Sequence, residues 1–164
     1  MNKRNLIFGL VTALILIVIN SLTIQKELLA HNGQLVYLEL APVDPRSLLQ
    51  GDYMRLRYAV ADEASQYVTE HSGFIIVQLD EKHIAHYVHV DDGRMSLDTN
   101  ELRLPYRQRR SNILIGADSY FFQEGHAQTY ARAHYAELRV SPSGDVLLIG
   151  LRGADLEPLM MPGE

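Results

Sequence analysis

Asp44-Pro45-Arg46-Ser47-Leu48-Leu49-Gln50-Gly51-Asp52-Tyr53-Met54-Arg55-Leu56-Arg57-Tyr58 reads as one helical turn feeding a β-strand. Asp44 suits an N-cap, Pro45 the first helical position, and Gly51 a left-handed residue just past the end. In the strand that follows, side chains alternate between two faces. Met54, Leu56 and Tyr58 therefore share one face and Tyr53, Arg55 and Arg57 the other. The first set is core in character. The second is a phenol flanked by two guanidinium groups, which is either a solvated sheet face or a docking surface.

The same two-residue period continues on both sides. Residues 34–40 alternate, with Leu35, Tyr37 and Glu39 against Val36, Leu38 and Leu40, and residues 73–80 carry the β-branched run Phe74-Ile75-Ile76-Val77. Asp91-Asp92-Gly93 between residues 83–90 and 94–104 predicts a hairpin, because Asp-Gly favours the tight primed turns. Residues 111–122 read as a further strand region. Ser141-Pro142-Ser143-Gly144 predicts a second hairpin, between residues 135–140 and 145–151. Residues 62–70 and 125–134 are the helical candidates. The expected fold is mainly β with some α: an N-terminal transmembrane helix, then a small antiparallel β-barrel or curved sheet with one or two short helices.

Residues 1–24 stand apart from this domain. Lys3 and Arg4 precede an apolar run, residues 6–24, whose 19 residues at about 1.5 Å each span roughly 28 Å, close to a hydrocarbon core of about 30 Å. The positive-inside rule keeps the N-terminus in the cytoplasm and sends residues 34–164 across the membrane. A cleavable signal peptide is the rival, but Leu28-Leu29-Ala30 puts leucine where a small residue is wanted. Residues 25–33 read as a helical stalk that Gly33 ends. The reading is a single-pass protein of a bacterial inner membrane with a periplasmic domain.

Charge narrows the function. Beyond Ile24 lie thirteen bases and twenty acids, a net of −7. Phosphate repels such a domain unless its bases are concentrated, and Arg103, Arg107, Arg109 and Arg110 are the sole candidate patch, so nucleic acid is not an expected partner. With no cysteine, thiolate zinc sites, disulfides and cysteine nucleophiles are excluded.

Residues 51–58 also match, letter for letter, the signature of the GDYXXLXY family of bacterial membrane-anchored proteins. The short anchor, Asp44-Pro45, Phe121-Phe122-Gln123-Glu124-Gly125, and the Gly144 turn into Leu147-Leu148-Ile149-Gly150-Leu151 resemble that family in order and spacing. The resemblance implies an envelope location and motif residues Gly51, Asp52, Tyr53, Leu56 and Tyr58. It implies no activity, cofactor or catalytic residue.

Three constellations bear on chemistry. His83, His86 and His89 would line one side of a helix and could hold a metal, but Ile84, Tyr87, Val88 and Val90 favour a strand, in which His86 points away from the other two. Glu124 and His126, with Asp52, Asp118 or Tyr130, could make the acid/base group of an envelope hydrolase. The plainer reading has Gln123 or Glu124 capping a helix that Gly125 lets the chain enter. Ser47 is similar in setting to the nucleophile of membrane-anchored serine/lysine peptidases. Its base would have to be Lys26 or Lys82, and Lys82 sits in a polar turn where it keeps its proton. The expected function is therefore a membrane-tethered, non-catalytic binding or assembly module without metal or cofactor. It would bind a membrane or envelope protein through Tyr53, Arg55, Arg57, Phe122 and Glu124.

Overall fold

The computed structural model describes residues 3–41, 53–93, 96–110 and 112–159. The turn read at Asp44, together with Ser47, Gly51 and Asp52, lies outside them. Helix α1 (Lys3–Asn32) is unbroken from the apolar run through the stalk. It contains a stretch, Ile7–Asn32, long and apolar enough to cross a membrane, and the 18-residue apolar window within it is not covered by the rest of the protein. Its polar side chains satisfy themselves on the helix: Thr12 donates to the Phe8 carbonyl, Asn20 to Leu16, Ser21 to Val18 and Thr23 to Ile19. A hydrocarbon environment would demand such pairing, since it offers no outside partner.

Gly33 then turns the chain directly into β1 (Gln34–Glu39). The elements that follow are β2 (Tyr53–Arg55), α2 (Ala59–Ala64), β3 (Ser72–Leu79), β4 (Ala85–Val90), β5 (Glu101–Arg109) and β6 (Asn112–Ile115). The chain closes with β7 (Ser119–Phe121), α3 (Ala127–Tyr130), β8 (Tyr135–Val140) and β9 (Val146–Arg152). Among the described residues the named strands pair antiparallel, in three sheets ordered β1-β8-β9, β2-β7 and β4-β3-β5-β6, and one isolated parallel bridge joins Tyr37 to Ile84. They curl around one core as a half-barrel, so the expected fold class holds. Val36, Leu38, Ile75, Val77, Leu104, Ile115, Ala136 and Leu138 are fully buried in that core. These are the inward members of the alternating patterns, and burying each large aliphatic contributes about 1.5 to 3 kcal/mol.

The predicted hairpin at Ser141-Pro142-Ser143-Gly144 joins β8 to β9, with Val140 opposite Val146 and Gly144 at φ 90°. The one predicted at Asp91-Asp92-Gly93 does not form. The turn before β4 takes its place: Asp80 Oδ1 accepts the amides of Lys82 and Ile84 and folds β4 back onto β3. β5 then crosses to the other side of β3, with Ile75 opposite Leu104. An Asp-Gly step can stabilise a local turn but cannot dictate which strand becomes the neighbour, and Gly93 here takes its positive φ in a crossover. Both helices are shorter than the sequence suggests. The Tyr58 carbonyl receives the Ala61 and Asp62 amides, so α2 starts at Ala59, three residues before Asp62.

Candidate functional site

The motif segment is built inward from Tyr58. Its ring is 2% exposed, and its hydroxyl donates to the Ala117 carbonyl at 2.8 Å. Burial, and secondarily the charge of Asp118, pushes this phenol well above the ordinary tyrosine range. The Leu56 amide donates to the Asp118 carbonyl, and Tyr58 bridges Leu40 at the end of β1. Residues 117 and 118 are thus each fastened to the motif. Met54, Leu56 and Tyr58 are all buried, as the alternation predicts.

That fastening sets β7 beside β2. Tyr53 pairs with Phe121, Met54 with Tyr120 and Arg55 with Ser119. Inside, Tyr120 and Phe122 pack on the buried Tyr130 ring, with centroids 5.1 and 5.2 Å away. Outside, the Tyr53 and Phe121 rings meet at 5.6 Å, and Phe121 is 75% exposed. The outer face of this ribbon consequently carries Tyr53, Phe121 and the exposed Arg55. Arg57 is exposed as well, ion-paired with Asp62 at 2.8 Å. Strand pairing thus brings Tyr53 and Arg55 onto one surface with Phe121, at the start of the 121–125 segment. Sequence reasoning put Phe122 on it. Phe122 instead turns inward and Phe121 outward, which strict alternation after Tyr120 would have indicated.

Glu124 is exposed on the turn after β7, and Gly125 takes φ 87° there, the freedom expected of it. His126 occupies the N-cap of α3 without any side-chain cap bond, so the capping role read for Gln123 or Glu124 is not made. No hydrogen bond or ion pair joins Glu124 to His126 among the described residues. Among the described residues, one cleft is lined by Gln34, Gln78, Asp80, His83, His86 and Asn100, and another by Ser72, Tyr106, Arg107, Arg109, Gly116 and Asp118. Neither includes Glu124 or His126.

In the first cleft, burial raises the Asp80 carboxyl, but the Ile84 and Lys82 amides and His86 outweigh it and hold the group below its ordinary range. His86 Nε2 lies 3.4 Å from Asp80 Oδ2. His83 sits in the turn at φ 62°, and a bulge at Val88 interrupts the strand before His89. Among the described residues no three histidine, aspartate or glutamate side chains converge as a metal-holding group. Lys82 is exposed in the same turn. Of the arginine patch, Arg103 is drawn to Asp91 at 2.7 Å, apart from Arg107 and Arg109.

A family model described as "GDYXXLXY protein" matches residues 15–151. No curated protein and no solved structure matches the chain.

Proposed function

The chain belongs to the GDYXXLXY family, and from that premise we propose that it is a membrane-tethered, non-catalytic binding or assembly module of a bacterial envelope. Residues 6–24 are its single-pass anchor in the inner membrane, the N-terminus is cytoplasmic, and the β domain is periplasmic. Lys3 and Arg4 ahead of the span support that orientation. The partner is another membrane or envelope protein. The observation that carries this reading is the Tyr53–Phe121 pair, two aromatic rings on the outer face of a ribbon and flanked by arginine. Exposed aromatics and arginines are the residue types that most often carry protein–protein binding. Phe121 is three-quarters exposed beside the Tyr53 ring, so the pair offers apolar surface that a partner could cover.

Crosslinking and pull-down from membranes tests the proposal. Phe121→Ser, and separately the pair Arg55→Ser with Arg57→Ser, should leave a folded, abundant protein. Removing exposed charges, including one exposed ion pair, changes stability by within about 0.5 kcal/mol. Both variants should lose a crosslinked partner that wild type captures. Folded variants that keep every crosslink would remove this face from the function.

A further inference from the structure

The junction between helix and domain is closed. Leu29 is buried, and Arg139 Nη1 donates to the Gly33 carbonyl at 3.1 Å. An added Cβ at Gly33 would lie 2.9 Å from Arg139 Cβ and 2.5 Å from the Leu29 carbonyl oxygen. Helix and sheet are in contact with no linker between them. β1 begins at Gln34 opposite Val140, and β8 runs antiparallel to it. The turn Ser141-Pro142-Ser143-Gly144-Asp145 therefore overshoots the start of β1 and runs back toward the end from which the helix arrives. Its hydroxyls close on themselves: Ser143 donates to Asp145 Oδ2 at 2.8 Å, and Ser141 Oγ accepts the Asp145 amide at 2.8 Å. The Phe74 ring, 38% exposed, lies against Gly144, where a Cβ would come within 3.1 Å of it.

Helix α1 packs against both β8 and β9, so the turn between those strands lies beside the helix. Hydrogen bonds from Ser143 and Ser141 hold the Asp145 carboxyl below its ordinary range against slight desolvation, and the Lys26 charge adds to them. Lys26 is two residues from Ile24, the last apolar residue of the anchor, or about 3 Å along a helix. The headgroup layer is roughly 5 to 7 Å deep on each side of the hydrocarbon. Resting on the anchor reading above, we infer that the β8–β9 turn, with Phe74 beside it, sits in the phospholipid headgroup layer, holding the domain against the bilayer surface. The motif ribbon lies toward the other end of β1, where Tyr58 bridges Leu40, about 20 Å away along a six-residue strand. The Tyr53–Phe121 face is thereby raised clear of the lipid for a partner's extramembrane part.

The absence of native cysteine permits single-site labelling of the full chain at Leu14→Cys, Ser143→Cys and Asp155→Cys. Each fluorophore-labelled protein is reconstituted into vesicles of phosphatidylethanolamine and phosphatidylglycerol carrying nitroxide on either headgroup or acyl chain. Headgroup nitroxide should quench position 143 several-fold more than position 155, which follows the far end of β9, and acyl-chain nitroxide should quench position 14. Insertion of about six glycine and serine residues between Asn32 and Gly33 should relieve quenching at 143 and leave that at 14 unchanged. If position 14 is quenched and 143 behaves like 155, the anchor stands and this inference falls. If position 14 escapes acyl-chain quenching, the anchor reading falls and takes the inference with it. Unchanged quenching at 143 after the insertion would overturn the role given to the junction.

Discussion

Tyr58 shows how much one motif residue does for the rest. Its ring fills the core and its hydroxyl ties Ala117 to the motif. Tyr58→Phe keeps the ring but leaves the Ala117 carbonyl without this donor, and should destabilise the domain by about 1 to 3 kcal/mol. The pH dependence has a definite sign. A phenol held above its ordinary value when folded ionises first in the unfolded chain, so its contribution is complete below about pH 10 and is lost as pH rises further. Burial raises Tyr106 as well, with the charge of Glu70 adding to it, so the alkaline loss has more than one source. Chemical denaturation of Tyr58→Phe between neutral and alkaline pH should show a shallower loss than wild type. An identical slope would mean that Tyr58 does not sense folding through its proton.

Among the elements, the helix–sheet junction makes the sharpest demand on sequence. Gly33 is required for space: its α-hydrogen faces the Leu29 carbonyl and the Arg139 Cβ, and neither is the far end of a flexible side chain. Gly33→Ala should therefore force the backbone apart and destabilise the domain by about 1 to 3 kcal/mol, the usual range for overpacking. Thermal melts of detergent-solubilised protein, with limited proteolysis at residues 30–34, would register it. A wild-type melt with no new cleavage would mean that helix and domain are not locked together there. The β2–β7 ribbon is the opposite case, since three residues on each strand have little pairing energy of their own. It is held by what surrounds it, the Tyr58 and Leu56 bonds beneath and the Tyr130 rings inside.

The molecule as a whole divides by solvent. Phe8, Leu10, Leu14, Ile15, Ile17, Leu22 and Ile24 are more than half exposed around the helix, an apolar surface far larger than the few hundred Å² a soluble monomer carries. Beyond Gly33 most of the described large aliphatics are inside, with Val88, Leu97 and Ile149 as exposed exceptions. On the orientation proposed above, a reporter fused after Glu164 should be active in the periplasm, and extraction should need detergent. A shortened protein released by signal peptidase would overturn the anchor while leaving the domain fold as described.

The alternation in residues 34–40 and 53–58, the apolar run before Ile24 and the Ser141-to-Gly144 turn were each readable from sequence. A two-residue or 3.6-residue period and a turn's φ requirement are local properties, written in consecutive side chains. The helix, the strand faces and the β8–β9 hairpin follow from them. Neighbour choice is not local. That β4 returns onto β3 while β5 crosses to its other side depends on which apolar faces close a common core, and no Asp-Gly step records it. The pairing of Tyr53 with Phe121, 68 residues later, likewise exists because Tyr58 and Leu56 capture residues 117 and 118. Local pattern set which side each residue faces, and long-range burial and hydrogen bonding decided what it faces.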